Sequence, residues 1–308
     1  MTTTDILAIG EPMVEFNQTR PGEPGYLQGF GGDTSNMIIA AARSGARTAY
    51  LTRLGDDQFG RMFLDLWQAE GVDASGVGVD PDAHTAVYFV THGPQGHVFS
   101  YLRAGSAASR MRPAHLPLDR VRGARFVQAS GISMAISATA ADTVLAAFDA
   151  ARAAGARVAF DSNLRLKLWP LARARAMIGA AAAMADYFFP SIEDARALSG
   201  LEDPAAIVDW AHGLGAGTVF LKLGPGGVIV SDGTRRERIA GHEVTAVDAT
   251  GAGDCFCGAT LARLCAGDSV FAAARYANAA AALATTGFGA VAPLPRPEAV
   301  RALLATAG

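Results

Sequence analysis

Near the end of the chain stands the stretch "DATGAGDCF", residues 248 to 256. Gly251 and Gly253 flank Ala252 and lead straight into Asp254, where a helix is expected to begin. A helix start offers unpaired N–H groups and the positive end of the helix dipole. The amides of Gly251, Ala252 and Gly253 therefore suit an anion such as a phosphate. A carboxylate beside such a cradle has chemistry to do, since Asp254 would take the proton of an acceptor hydroxyl as a phosphoryl group arrives. Spacing alone supports a plainer reading about equally, an acid near a helix N-terminus with glycines that only shape the turn.

Other nucleotide-binding schemes are missing. Lys167 and Lys222 are the only lysines and neither follows a glycine, so there is no Walker P-loop. No His-Arg-Asp catalytic loop occurs, and "AIGEPMVEF" lacks the glycine fingerprint of a dinucleotide fold. If a phosphoryl group moves here, helix amides, arginine and a divalent metal must neutralise its charge.

The elements that would position these groups can be read from the pattern. "ILAIG" (6–10), "RTAYLTRLG" (47–55), "ARFVQAS" (124–130), "ARVAFD" (156–161), "DYFFP" (186–190) and "GTVFLKLG" (217–224) read as strands. Helical segments lie between them, including "TSNMIIAAARSGA" (34–46) and "DQFGRMFLDLWQAEG" (57–71). That alternation predicts an α/β fold, a largely parallel sheet with helices on both faces. Residues 13 to 30 and 84 to 103 instead alternate with period two around turn signals at Pro21-Gly22, Gly93-Pro94 and Gly96. They are expected to form a small projecting sheet that acts as a lid. The expected division is a main α/β domain of residues 1–12, 31–83 and 105–308, with a lid of 13–30 and 84–104.

Composition narrows the classes. The chain has 308 residues, half of them hydrophobic and 18% charged, which fits one large α/β unit with a substantial core. A formal net charge of −3 and the lack of like-charge blocks give no reason to expect nucleic acid. Cys255, Cys257 and Cys265, an odd number in one expected helix, argue against a disulfide framework, and the scattered histidines show no zinc spacing. The start "MTTTDILAIG" has no basic region followed by an apolar run. The uncharged run 276–295 is too rich in Ala, Thr and Gly for a membrane span. The expectation is a cytoplasmic protein without membrane partners.

Four motifs in order carry a resemblance. "DATGAGD", "GFGGDTSNMIIAAARSG" (29–45), "RLGDDQFG" (53–60) and "KLGPGG" (222–227) resemble those of the ribokinase-like (PfkB-type) carbohydrate kinases, nearly end to end. The resemblance implies a three-layer α/β/α sandwich with a β-sheet lid often used for homodimers. It implies ATP with Mg²⁺, Asp254 as base, and Gly251 to Gly253 as the anion hole. It places Asn163, Lys222, Gly224, Gly226 and Asn278 on the nucleotide side. Some members also bind a monovalent cation such as K⁺, near segments matching Asp248–Thr250 and Thr286–Gly289. Two departures stand out: Ser191 and Asp194 of "SIED" replace the usual Asn-x-x-Glu, so a Mg²⁺ role falls to the shorter Asp194. Ala249 stands where threonine is commoner.

The acceptor is read from strand faces and the crevice. In "HVFSYLRAGSAAS" (97–109) alternation puts Phe99, Tyr101 and Arg103 on one face, and Tyr88 on the companion strand joins them. "FDSNLRLKLW" (160–169) places Asp161, Asn163 and Arg165 past a strand end, where α/β folds bind ligands, with Trp169 expected to pack. Gly32, Asp33 and Asn36, at a helix start, suit sugar hydroxyls. Arg103 and Arg165 together suit a carboxylate, although most arginines are surface or salt-bridging residues. "GEP", "GGDTSN", "YLRAGSAAS" and "DSNLRLKLW" resemble the 2-keto-3-deoxygluconate kinase branch. That implies phosphorylation of the terminal hydroxyl of this sugar acid, with Tyr88, Tyr101, Arg103 and Arg165 as its contacts. A sibling kinase of a neutral sugar or nucleoside is the first alternative, and a sugar-sensing protein on the same fold the second.

Overall fold

Side chains of the first strand, Ile6–Ile9, divide the interior in two. Ile6 and Ala8 enter one apolar core with Met37 and Ile38 of the Asp33–Arg43 helix and with residues of the Ala252–Cys265 and Val270–Ala284 helices. Leu7 and Ile9 enter a second core with Val144 and Phe148 of the Ala138–Ala153 helix and Ile178 of the Leu171–Met184 helix. Period-two alternation of a strand buried on both faces produces that split, and it defines a three-layer α/β/α architecture. The computed structural model describes residues 4–93 and 96–306; Pro94 of the expected turn lies outside them.

The central sheet has nine strands. In spatial order they are Arg236–Ile239, Val228–Ser231, Thr218–Lys222, Tyr187–Phe188, Arg157–Asp161, Phe126–Ser130, Ile6–Ile9, Thr48–Leu51 and Val72–Asp73. Pairings are parallel from Thr218–Lys222 to Val72–Asp73, and the first two strands run antiparallel to their neighbours. Because the parallel strands share a direction, Ser130, Asp161 and Lys222 emerge at one edge. That edge is where open α/β sheets place ligands.

The expected strand 47–55 is two strands. The chain leaves the central sheet at Thr52, whose carbonyl accepts the Gly78 amide at 3.0 Å. Arg53–Gly55 then pairs with Gly78–Asp80 in a separate two-stranded sheet. Apolar character runs through both pieces, so the sequence pattern hides the break.

A separate four-stranded sheet orders Tyr26–Gly31, Met13–Gln18, Ala86–Gly93 and Gly96–Leu102. One row across it runs Gly29, Glu15, Tyr88, Tyr101. Phe99 and Tyr101 stack on one face with ring centroids 6.3 Å apart, Tyr88 lies 5.8 Å from Tyr101, and the Arg103 guanidinium lies 5.7 Å from the Tyr101 ring. Aromatic rows of this kind pin strand register.

Candidate active site

Two helix starts face each other at the sheet edge. Gly251 caps the Ala252–Cys265 helix in the left-handed conformation (φ 78°), and Gly32 (φ 102°) caps the Asp33–Arg43 helix. The Ala252 amide is already bonded to the Ala249 carbonyl at 3.2 Å. The first turn of a helix has no intrahelical acceptors for its amides, and among the described residues the amides of Gly251, Gly253 and Asp254 meet no acceptor. Of the expected donors Gly251, Ala252 and Gly253, this turn bond engages the Ala252 amide alone.

The Asn36 side chain donates to Asp254 Oδ2 at 2.8 Å, and the Asn163 side chain donates to Asp33 Oδ2 at 2.7 Å. Lys222 Nζ donates to Asp161 Oδ2 at 2.6 Å. Asn163 holds a positive φ of 28°, rare for a side-chain-bearing residue; its own amide bonds Asp161 Oδ1 at 3.2 Å. Asp33 Oδ1 and Asn36 Oδ1 are buried and lack a protein partner among the described residues. Such acceptors suit hydroxyl donors of a ligand.

Asp254 is electrostatically tuned. Burial pushes its carboxyl up to about 7, and the charge of Asp33 adds to the rise; the Asn36 hydrogen bond opposes it, Asp161 raises and Lys222 lowers. A carboxyl poised near neutrality can accept a proton at working pH.

The remaining expected residues fall into three groups. Tyr88 is buried and its hydroxyl donates to Glu15, whereas the Tyr101 ring is partly exposed. Arg103 is ion-paired to Glu11, a fully buried acid that also accepts from Ser106, and both guanidinium and carboxylate are nearly inaccessible to solvent. Burial raises the Glu11 pKa and the Arg103 charge works against that rise. Arg165 is exposed and donates to the Leu164 carbonyl at 2.8 Å, with no ion pair among the described residues.

Of the residues expected on the nucleotide side, Gly224–Gly226 forms a short 3₁₀ turn after Lys222, and Asn278 donates to the Ala240 carbonyl at 2.7 Å. Trp169 is buried in the second core, as expected of a packing residue. The Asp194 carboxylate accepts from Ser162 Oγ at 2.8 Å and from the Leu164 amide at 3.0 Å. It braces the loop that carries Asn163 and Arg165. Asp248 accepts from the Thr250 amide and hydroxyl and from the Gly289 amide at 3.0 Å, joining the two segments expected beside a monovalent cation.

Among the described residues no three His, Cys, Asp or Glu side chains gather into a metal centre. Mg²⁺ is commonly held by phosphate oxygens and water plus one or two carboxylates. Both bonds to Asp194 go to Oδ2, so the residues fit an ion that arrives with a nucleotide.

Sequence reading missed Glu11, Glu15, Ser162 and Cys257. Cys257 Sγ donates to Asp161 Oδ2 at 3.2 Å, and Lys222 Nζ lies 3.9 Å from that sulfur. Glu11 had a signal, an acid two positions beyond the wholly apolar strand Ile6–Ile9.

Residues 3–297 match the model of the pfkB family carbohydrate kinases. The chain is 34% identical over 97% of its length to probable fructokinase-4 of Arabidopsis thaliana, covering 96% of that protein. It is 35% identical over 97% of its length to the 2-dehydro-3-deoxygluconokinase of Thermoproteus tenax, covering 94%. A putative ribokinase II from E. coli, solved in complex with ATP and Mg²⁺, superposes with a TM-score of 0.91 at 25% identity over 98% of this chain and 99% of that one. A match that runs nearly the whole length, with named kinases on both measures, makes this chain a member of the pfkB family of carbohydrate kinases, a phosphotransferase acting on a sugar hydroxyl.

Proposed function

We propose that the protein transfers the γ-phosphoryl group of ATP to the terminal hydroxyl of 2-keto-3-deoxygluconate, with Asp254 as general base. The observation that carries the base is the Asn36–Asp254 bond, which aims a carboxylate with a pKa near 7 from the first turn of an open helix start. Asp254 takes the hydroxyl proton. The freed oxygen bonds the γ-phosphorus, the bond from that phosphorus to the bridging oxygen breaks, and ADP leaves with its electron pair. Gly253 and Asp254 offer amides to the phosphoryl oxygens. When bound with the nucleotide, Mg²⁺ neutralises phosphate charge; the water-bridged contact from the protein is assigned to Asp194. The E. coli relative solved with ATP and Mg²⁺ supports this donor. A monovalent cation is assigned to the loop that Asp248 closes.

Asp33 Oδ1 and Asn36 Oδ1 are the acceptors for sugar hydroxyls. The carboxylate of the sugar acid is assigned to Arg165, exposed and without an ion pair among the described residues. Tyr101 stands on the same aromatic face as Tyr88. The four-stranded sheet is assigned as a lid: Glu15 Oε1 is 3.9 Å from where a side chain on Gly289 would start, so the sheet overhangs the cation loop. Its exposed Leu27, Val98 and Leu102 fit association of two copies through this sheet.

One observation favours a second reading, fructose as acceptor. Glu11 neutralises Arg103, which leaves one of the two expected guanidinium groups for a carboxylate. The Arabidopsis fructokinase relative is as similar as the 2-dehydro-3-deoxygluconokinase one. An ADP-release assay with both acceptors separates the readings.

A further inference from the structure

The parallel strands of the central sheet have a second edge, opposite the one at which Ser130, Asp161 and Lys222 emerge. Phe126, Arg157 and Tyr187 begin three neighbouring strands there. With Arg122, Arg125 and Val270 they line a cavity of about 550 Å³. Sites for small metabolites span roughly 300–1,000 Å³. Arg157 starts the strand that Asp161 ends, so the cavity lies a strand's length away from the candidate active site.

Three guanidinium groups suit an anion only where their charge is left uncompensated. Asp5 stands 3.4 Å from Arg125, but Arg47 already holds that carboxylate with bonds of 2.9 and 2.8 Å. Those bonds are the main reason the Asp5 carboxyl is held down at about 2, and Arg125 contributes least. Arg125 Nη1 closes the Ala252–Cys265 helix by donating to the Cys265 carbonyl at 2.9 Å, and its Nε and Nη2 have no partner among the described residues. Arg157 gives only Nη1 to Asp186, at 2.7 Å, among the described residues. Arg122 pairs with Asp119 at 4.0 Å with both side chains exposed, a contact worth little in water. Asp268, an acid on the cavity wall, is gripped through both oxygens by Arg263 at 2.8 and 2.9 Å.

Backbone groups on the wall agree with this sign. The Val270–Ala284 helix starts here, and its Val270 and Phe271 amides meet no acceptor among the described residues. The Ala138–Ala153 helix ends here, but the Gly155 and Ala156 amides pair the Arg152 and Ala151 carbonyls at 3.0 and 2.9 Å. Beside the cations lies apolar surface, with the Phe126 and Tyr187 rings 5.6 Å apart.

We propose that this cavity is a second ligand site, which takes a small phosphate monoester. Its phosphate sits among Arg122, Arg125 and Arg157, and its organic body lies against Phe126, Tyr187 and Val270. The planar fork of arginine meets phosphate oxygens in pairs, which a lone ammonium does not. Aromatic faces give the body apolar contact that inorganic phosphate cannot use. Sugar phosphates and nucleoside monophosphates share this chemistry. The site stands whichever acceptor the active site takes, since no bond is made or broken in it.

The test is calorimetry on the full-length protein with inorganic phosphate, fructose 6-phosphate and AMP as probes. Each is titrated with a saturating non-hydrolysable ATP analogue present, so that the helix start at Gly251 is occupied. At least one ester is expected to bind with a Kd below about 1 mM, and about tenfold or more tighter than phosphate. The ester that binds tells whether the body is a carbohydrate or a nucleoside. Arg122→Ala combined with Arg157→Ala should weaken it about tenfold or more, the size of a lost charge-assisted contact. Arg125 is left in place because it also closes a helix end. Thermal melts and ATP affinity should stay near those of the parent. Ala154→Glu sets an acid on the exposed rim of the same cavity; it should weaken the ester similarly, and it decides the matter if the arginine variant does not fold. Three results overturn the proposal: neither ester binding below about 1 mM, phosphate binding as tightly as the esters, or an affinity that the folded variants leave unchanged.

Discussion

Asn36 and Asp254 stand 218 residues apart in sequence, and the amide of the first donates to a carboxylate oxygen of the second at 2.8 Å. The contact exists because the Asp33–Arg43 and Ala252–Cys265 helices pack directly on each other. Gly258 makes that approach possible: a Cβ there would lie against the Met37 carbonyl oxygen and 2.9 Å from the Ala41 amide. Helix packing, hydrogen bonding and acid–base tuning are therefore one arrangement.

Replacement of Asp254 by Asn removes the proton acceptor and keeps the shape. Turnover should fall by at least about a hundredfold. The melting curve and ATP affinity should stay near those of the parent. Near-normal kcat in this variant would remove Asp254 from its role as base.

The same carboxyl sets a pH dependence with a definite sign. Only the ionised form accepts a proton, and burial holds the pKa of Asp254 up to about 7. Activity should rise through the region of pH 7 and lose a tenfold per unit well below it, seen in kcat/KM. Asp33→Asn deletes a like charge and should move that acid limb to lower pH; Asn36→Ala deletes a stabilising bond and should move it higher. Opposite or absent displacements would contradict the electrostatic account.

Gly258→Leu forces a branched side chain into the backbone of the neighbouring helix. Overpacking of this kind typically costs about 1–3 kcal/mol, and denaturant titration measures it. Because the same interface sets the Asn36–Asp254 distance, kcat should fall as well. Full stability with full activity would mean that the helices separate freely.

Not all of this was legible in the chain. The α/β alternation, the small sheet and the helix start at Gly251 follow from local pattern, because period-two and helical spacing survive in the residues themselves. The break at Thr52 did not, since apolar residues continue across it and only the Thr52–Gly78 bond redirects the strand. Long-range pairs were equally hidden. Arg103 reads as a free cation on a strand face until folding brings it to Glu11, 92 positions earlier, in the connection after the first strand. Asp161, Lys222 and Cys257 come from three different elements, and no spacing links them.

The two arginines should separate on measurement. Arg103→Ala strands the buried Glu11 carboxylate and should cost about 3–5 kcal/mol in urea unfolding. Adding Glu11→Gln should recover much of that loss. Arg165→Ala touches no ion pair among the described residues and should leave stability within about 0.5 kcal/mol. It should raise KM for a sugar acid roughly tenfold or more, the magnitude of a lost charge-assisted hydrogen bond. Equal effects of both substitutions on stability would refute the division of roles.

The most direct measurement is ADP release with ATP and Mg²⁺ across 2-keto-3-deoxygluconate, its galactonate epimer, gluconate, fructose, ribose and adenosine, with Asp254→Asn run beside the parent enzyme. The account expects the highest kcat/KM on a keto-deoxy sugar acid, and loss of that turnover in the variant. Preference for fructose or another neutral acceptor would contradict the assignment of Arg165 to a carboxylate, and turnover that survives Asp254→Asn would contradict the mechanism itself.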